Sequence, residues 1–214
     1  MPCIRKDEHV NDYLDKENIE VSPVPFPKFV GIYLTSCCNY RCFFCEDRKP
    51  FHLPLEDLYG LKTLIRNAEI LNITGSGEPL FYKHIKEAIH FINENNNRNC
   101  ISLNTNGSLL TEEIALLLSS NLNFISISVN AATKQTYERD IKNADWENVL
   151  NNIRNARKYI PREKMSLVFV AHGDNIHEFP DFVRLAKELD VGQVEMKNFI
   201  VLDPGYLEKK PLVS

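Results

Sequence analysis

The chain has 214 residues, an apolar content of 43% and a formal net charge of −4 at pH 7. This length and apolar content allow one domain with a sizeable core, and the weakly acidic charge gives no general attraction to nucleic acid or anionic lipid. No apolar run approaches the ~18 residues of a membrane-spanning helix, and the polar N-terminus does not look like a signal peptide. The sequence therefore predicts a cytoplasmic protein that has neither nucleic acid nor a membrane as its partner.

Segments with the two-residue period of a strand alternate along the chain with segments of helical period. Residues 1–27 are expected to form an irregular lead-in, and a single domain is expected to follow over 28–214. Strands are predicted at 29–35, 69–75, 100–106, 124–130, 165–171 and 193–200. Helices are predicted at about 55–68, 82–95, 111–120, 146–159 and 178–189. This alternation indicates a parallel sheet with right-handed crossovers.

Apolar and polar residues alternate within several of the predicted strands. In 124–130, for example, Ile125 and Ile127 are expected to face the helices while Ser126 and Ser128 face the other side. A sheet covered by helices on both faces would instead be almost continuously apolar. The predicted fold is therefore α/β, a partial (β/α)6 TIM-type barrel with parallel strands and an open side.

Three cysteines follow the first predicted strand, in the stretch Cys38-Asn39-Tyr40-Arg41-Cys42-Phe43-Phe44-Cys45. A [4Fe–4S] cube takes four ligands, and a structural zinc site is closed by four protein ligands. Three thiolates therefore leave one position of a metal centre open for a substrate or cofactor. Two alternatives remain at this point: a zinc site completed by Cys37, Asp47 or His52, and cysteines that only pack in a core.

The second predicted strand ends in Thr74-Gly75-Ser76-Gly77-Glu78-Pro79-Leu80. The glycines allow a tight turn and a close approach to a ligand, and Glu78 supplies a carboxylate. In α/β barrels such C-terminal strand ends carry the chemistry. We expect further polar side chains to line the same cavity: Asn104, Ser126, Ser128, His172, Glu195 and Lys197. The alternatives are a loop-capping role for the histidine and an ion pair between the two charged residues.

These motifs resemble those of the radical S-adenosylmethionine (radical SAM) enzymes. The resemblance covers nearly all of residues 28–202 and rests on four motifs: Cys38-x3-Cys42-x2-Cys45, Gly77-Glu78-Pro79, Asn104-Thr105-Asn106-Gly107 and Ser126-Ile127-Ser128-Val129-Asn130. It implies a [4Fe–4S] cluster held by the three cysteines, with S-adenosylmethionine (SAM) bound at the open iron. Reductive cleavage of SAM would then give a 5′-deoxyadenosyl radical that removes a hydrogen atom from the substrate.

The resemblance also implies which residues contact SAM. Phe44 matches the aromatic position beside the adenine, with a buried loop anchor as its alternative. Gly77-Glu78-Pro79 matches the motif that receives the methionine amino group, and Ser128 and Asn130 match the ribose-contacting positions. Related enzymes often carry an acidic residue where this chain has Asn130, so that contact departs from the pattern. Two further residues are predicted to line the cofactor site, Asn104 and His172, and no catalytic residue is assigned.

The amino-acid sequence of residues 109–113 and 132–138 looks most like that of the branch of the family that modifies peptides and proteins. The preferred hypothesis is therefore hydrogen abstraction from a peptide or protein substrate, with a flavodoxin- or ferredoxin-like reducing partner. The alternatives are a radical SAM enzyme acting on a small metabolite or sugar, and a non-catalytic iron–sulfur or zinc binding module. Members of that branch usually carry a C-terminal extension with auxiliary clusters, so a chain ending at Ser214 is expected to be a fragment or a minimal form.

Overall fold

The computed structural model describes residues 27–45, 49–97 and 100–199. Most of the predicted N-terminal lead-in, the possible zinc ligand Asp47 and the stretch from residue 200 to Ser214 lie outside the described residues. In the described part of the chain, no helix has the length and apolarity that crossing a membrane requires.

Every predicted strand is present, with ends within two residues of the prediction, and two short strands are additional. In chain order the strands are β1 Phe29–Tyr33, β2 Arg41–Cys42, β3 Ile70–Thr74, β4 Ile101–Thr105, β5 Phe124–Ser128, β6 Ile141–Lys142, β7 Met165–Ala171 and β8 Gln193–Asn198. Six of them form one parallel sheet in the order β1-β3-β4-β5-β7-β8. The sheet runs from β1 to β8 without closing, which confirms the α/β fold of an open, partial barrel.

Seven α-helices are described, and two of the differences from the prediction have clear local causes. They are α1 Leu55–Gly60, α2 Lys62–Asn67, α3 Ile85–Asn95, α4 Glu112–Asn121, α5 Lys134–Asp140, α6 Trp146–Ala156 and α7 Phe179–Glu188. The predicted helix at 55–68 is divided because the backbone at Leu61, with ψ near 6°, leaves helical geometry just after Gly60, a poor helix former. Helix α5 was not predicted because its seven residues are mostly polar. Its start is fixed by Thr133, whose side chain accepts a hydrogen bond from the backbone N–H of Thr136.

One face of the large sheet is apolar and carries the core. Leu71, Ile73, Leu103 and Ile127 are fully buried there, and they belong to one hydrophobic cluster with residues of the helices, such as Ile92. Successive side chains of a strand point to opposite faces. The residues that alternate with these buried ones therefore lie on the other face of the sheet.

We call the opposite surface of the sheet the polar face. It carries the alternate residues of the six strands: Phe29, Gly31, Tyr33, Ile70, Asn72, Thr74, Ser102, Asn104, Phe124, Ser126, Ser128, Ser166, Val168, Val170, Gln193, Glu195 and Lys197. Hydrogen bonds join neighbouring strands across it, from Ser102 Oγ to Asn72 Oδ1 at 3.2 Å and from Ser166 Oγ to Ser126 Oγ at 3.1 Å. The predicted polar face is therefore present near the middle of the sheet, whereas β7 contributes Val168 and Val170 to it and the strand starts contribute Phe29, Ile70 and Phe124.

Candidate cofactor site

The three cysteines lie on the loop after β1, and this loop is fastened on both sides. At its start, the Ser36 N–H donates to the Phe51 carbonyl at 3.0 Å and the Ser36 hydroxyl donates to the Lys49 carbonyl at 2.8 Å. At its end, β2 pairs antiparallel with β6, with Cys42 opposite Ile141. The cysteine loop is therefore held by the chain that follows it and by the short strand after α5.

Several donors and neighbouring thiols surround the cysteine sulfurs. Cys38 Sγ accepts from the backbone N–H of Tyr40 at 3.4 Å and from Asn106 Nδ2 at 3.7 Å. A hydrogen bond with the Cys45 thiol, together with burial, raises the pKa of Cys42. Iron binding at this position would release the thiol proton, because the ligand is the thiolate.

A cluster and a single metal ion place different demands on these thiols. A single ion requires its ligands to converge on one point, at about 2.3 Å for zinc and thiolate. Within the described ranges, no group of three or more Cys, His, Asp or Glu side chains converges in that way. A [4Fe–4S] cube instead binds each thiolate to a different iron, and three thiols would leave its fourth iron open. Of the other zinc ligands considered, His52 hydrogen-bonds through Nδ1 to the Thr35 hydroxyl at 2.9 Å.

The loop after β3 packs directly against the cysteine loop. A Cβ at Gly77 would lie 2.4 Å from the carbonyl oxygen of Cys37 and 2.6 Å from that of Thr35. The next residue, Glu78, donates its backbone N–H to the same Cys37 carbonyl at 2.9 Å. Only glycine allows this approach, so the predicted close contact at Gly77 is made with protein backbone.

The carboxylate of Glu78 is almost completely buried and is surrounded by donors from the protein. Oε1 accepts from the Thr105 hydroxyl at 2.6 Å and from the Leu80 N–H at 3.0 Å, and Oε2 accepts from the Asn106 N–H at 2.6 Å. Burial raises the pKa of Glu78 to about 6, although these donors favour the charged form. The side chain predicted to receive the methionine amino group thus also joins the end of β3 to the end of β4.

Three polar side chains, two of which sequence reasoning missed, complete the connection between the loops. Asn106 Nδ2 donates to Asn39 Oδ1 at 3.0 Å, Asn39 Nδ2 donates to Ser108 Oγ at 2.8 Å, and Ser108 Oγ donates to Asn106 Oδ1 at 2.6 Å. Asn106 lies in a motif that the sequence had singled out, whereas Asn39 and Ser108 gave no signal of their own. The loops after β1, β3 and β4 therefore form one hydrogen-bonded unit around the cysteines.

The remaining predicted cofactor contacts lie in different surroundings. Asn104 and Ser128 lie half-buried on the polar face, and Asn104 Nδ2 donates to Thr74 Oγ1 at 3.2 Å. Asn130 departs from the predicted strand, because β5 ends at Ser128 and Asn130 has a left-handed backbone with φ 64°, which asparagine tolerates. It is buried, and its Oδ1 accepts from the Val170 N–H at 3.0 Å.

Phe44 and His172 belong to an aromatic group at the end of the cysteine loop. The Phe44 ring is half-buried and meets the Phe43 ring edge-on at 5.2 Å between centroids. The buried ring of His172 also meets Phe43, at 4.8 Å, and both of its nitrogens have protein partners: Nε2 lies 3.1 Å from Asp140 Oδ2, and Nδ1 lies 3.3 Å from the Asp174 N–H. Both nitrogens of His172 thus have protein partners, and the direct contact of this side chain with the cofactor stays a prediction.

Comparison with known proteins settles the family. The model of the Radical SAM superfamily matches residues 32–186. The chain belongs to this superfamily. Its membership confirms the predicted family and enzyme class, and with them the cofactors of radical SAM enzymes, a [4Fe–4S] cluster and SAM.

The radical SAM chain is similar both to curated proteins and to solved structures. GTP 3′,8-cyclase of Desulforamulus reducens is 28% identical over 172 residues, which make up 76% of this chain and 53% of that protein. The chain thus spans about half the length of that relative. Among solved structures, SuiB of Streptococcus suis bound to precursor peptide SuiA has a TM-score of 0.66 at 17% identity, covering 82% of this chain and 40% of SuiB. The enzyme anSMEcpe, with SAM and a peptide bound, has a TM-score of 0.68 at 20% identity. The match covers 81% of this chain and 52% of anSMEcpe.

Proposed function

We propose that the protein removes a hydrogen atom from a peptide or protein substrate and thereby modifies it after translation. In this proposal Cys38, Cys42 and Cys45 each bind one iron of the [4Fe–4S] cluster, which a flavodoxin- or ferredoxin-like protein reduces. The reduced cluster and SAM together supply a 5′-deoxyadenosyl radical when they are bound. The task of this chain is to hold these groups at the strand ends and to present the substrate to them.

The observation that carries the proposal is the charge of the polar face. Among the positions of the six strands that form it, Lys197 is the only cation, and its Nζ lies 3.5 Å from Glu195 Oε1. Both side chains are more than two-fifths exposed. The remaining polar groups are neutral hydroxyls and amides, which match the N–H and C=O groups of a peptide backbone. The phosphates of a nucleoside triphosphate are more often bound by arginine and lysine side chains, which are scarce among these strand positions.

Each predicted SAM contact can be given a role consistent with its surroundings. The methionine ammonium would bind at the loop Gly77-Glu78-Pro79, where the Gly77 carbonyl can accept from it and the buried Glu78 carboxylate holds the loop in place. Ser128 and Asn104 present a hydroxyl and an amide on the polar face, where they can bind ribose hydroxyls. Phe44 offers an aromatic ring for the adenine. Asn130 supports the ribose site mainly through its backbone position, because its Oδ1 already accepts from Val170.

A small-metabolite substrate is the second candidate. It is favoured by the 28% identity to a GTP 3′,8-cyclase, whereas the peptide-bound neighbours resemble the chain in fold at 17% and 20% identity. The two candidates differ in whether a nucleotide or a peptide donates the hydrogen atom, and this difference can be measured.

Deuterium transfer distinguishes the two candidates. The protein is reconstituted with iron and sulfide under anaerobic conditions, reduced with dithionite and mixed with SAM. It is then offered either a tryptic digest of a perdeuterated proteome or GTP deuterated on the ribose. We expect 5′-deoxyadenosine that carries deuterium from the peptide digest and none from GTP, as read by mass spectrometry. Deuterium from GTP alone would show that the small-metabolite candidate is right.

Matched cysteine variants test the proposed ligands. Cys38→Ala should lower the iron content and abolish 5′-deoxyadenosine formation, because the cluster loses one of three thiolates. Cys37→Ala, one residue earlier, should retain both. Equal loss of iron in the two variants would contradict the assignment of Cys38.

A further inference from the structure

We infer that Asp140 and His172 are positioning residues that act through Phe43 on the loop between Cys42 and Cys45. This inference depends on cluster and SAM binding at that loop and is independent of which substrate the enzyme modifies. It assigns His172 an indirect role, whereas the sequence predicted a direct cofactor contact for this residue.

Asp140 is the fixed end of this connection. Its carboxylate is almost completely buried and forms two hydrogen bonds with the Arg139 guanidinium, from Nε at 2.7 Å and from Nη2 at 3.0 Å. Such paired, charge-assisted bonds hold a carboxylate in one orientation. Asp140 also ends α5 and immediately precedes β6, so its backbone position is set by two elements.

His172 connects Asp140 to the cysteine loop, because its ring contacts both Asp140 and Phe43. Since Nδ1 accepts the Asp174 N–H, the ring proton lies on Nε2 and is donated to Asp140 Oδ2 at 3.1 Å. The backbone is fixed as well, because the His172 N–H donates to Asn175 Oδ1 at 2.8 Å. The imidazole, with its side chain only 2% exposed, therefore has one available orientation.

Phe43 receives two contacts from this pair. Its ring meets the His172 ring edge-on, with centroids 4.8 Å apart and planes at 83°. Its backbone N–H donates to the carbonyl oxygen of Asp140 at 3.0 Å. Phe43 lies between two proposed cluster ligands and directly before Phe44, so a displacement of Phe43 moves the turn closed by the Cys45 N–H and the Cys42 carbonyl.

The arrangement resembles the outer partners of metal ligands in general. Groups that orient a ligand without touching the metal commonly change affinity or activity by about 10–100-fold when they are replaced. The β2–β6 pairing anchors the cysteine loop from one side, and the histidine ring contacts it from the end of β7. Loss of the ring contact should therefore tilt the loop while the three thiols stay available.

The test uses anaerobically reconstituted protein and three variants. His172→Gln removes the ring contact with Phe43. Phe43→Leu removes the same contact and leaves the buried pair of Asp140 and His172 unchanged. His177→Gln is the matched control, because His177 is an exposed histidine five residues further along. We expect the first two variants to retain wild-type iron content and to bind SAM about 10-fold more weakly. We also expect a smaller SAM-induced change in the electron paramagnetic resonance spectrum of the reduced cluster, with the control unchanged.

The double variant separates positioning from a general effect on folding. The double variant combines His172→Gln with Phe43→Leu. If His172 acts through Phe43, it should have the same SAM affinity as whichever single variant binds SAM less tightly, whereas independent effects would add. Additive losses would overturn the inference, as would wild-type SAM affinity in His172→Gln. A parallel loss of iron and thermal stability in His172→Gln would assign the residue to folding alone. If that variant is insoluble, wild-type SAM affinity in Phe43→Leu is sufficient to reject the inference.

Discussion

Replacement of Gly77 by alanine tests how the loop after β3 supports the cysteine loop. The added Cβ would lie 2.4 Å from the Cys37 oxygen, 2.6 Å from the Thr35 oxygen and 2.7 Å from the carbonyl carbon of Ser36. All three are backbone atoms, so no change of side-chain rotamer can relieve the contacts. The two loops must separate.

The size of the effect follows from that separation. Restoring ordinary carbon contact distances of about 3.5 Å requires a shift of roughly 1 Å between the loops. Overpacking of this kind costs about 1–3 kcal/mol, and loss of the hydrogen bond from the Glu78 N–H to Cys37 adds about 0.5–1.5 kcal/mol. We therefore expect Gly77→Ala to lower the free energy of unfolding by about 1.5–4.5 kcal/mol. Because functional groups must be held within about 0.5 Å, SAM binding should weaken as well.

Gly60→Ala is the matched control, because nothing lies within 4 Å of a Cβ at that position. It lies at the end of α1, where alanine should be neutral or stabilise the helix by up to about 1 kcal/mol. Urea unfolding gives the stability difference, and iron content and SAM titration follow the effect at the site. If Gly77→Ala unfolds at the wild-type urea concentration and binds iron and SAM normally, the close packing of the two loops is wrong.

Three further predictions concern buried side chains and turns. The pKa of Glu78 is about 6 in the folded protein against an ordinary 4.5. The free energy of unfolding should therefore be highest below pH 4.5 and fall by about 2 kcal/mol as the pH rises through 6. Urea unfolding of Glu78→Gln at several pH values should lack this fall. Gly107→Ala should cost about 1–3 kcal/mol in thermal unfolding, because φ is +77° and a Cβ would lie 2.9 Å from Ile127 Cγ2. Glu178→Gln should lower the melting temperature, since the Glu178 carboxylate accepts from the Ala132 N–H at 2.8 Å and from the Thr136 hydroxyl; an unchanged melting temperature would contradict this role.

The repeating part of the fold could be predicted because it depends on local periodicity. Strands such as β5 combine β-branched residues with strict alternation, and burial of Ile125 and Ile127 confirms the predicted face. The prediction went wrong where local geometry overrides the pattern. The alternation of β5 continues in the sequence to Asn130, but the structure ends the strand at Ser128 and turns the backbone to φ 64°.

The candidate site was predictable only in the motifs whose chemistry is visible in one segment. Three cysteines on one loop indicate a metal centre whatever the rest of the chain does. Asp140 gave no such signal, because its importance comes from contacts with His172 and Phe43, which are distant in sequence. Contacts of this kind follow from the three-dimensional arrangement of the strand ends, which a single sequence does not specify in detail.

The two sides of the polar face are built differently, and this difference bears on the proposed substrate. On the β1, β3 and β4 side, the strand-end loops are joined by the hydrogen bonds of Glu78, Asn106 and Asn39, which hold their geometry before any ligand arrives. On the β8 side, Glu195 and Lys197 form an exposed ion pair, and such pairs contribute little to stability. A rigid cofactor side beside an adaptable edge suits a radical that must be aimed accurately at one atom of a large, variable substrate. This division is consistent with the proposed peptide substrate, and in that proposal substitution of Lys197 should change which peptides react more than it changes SAM binding.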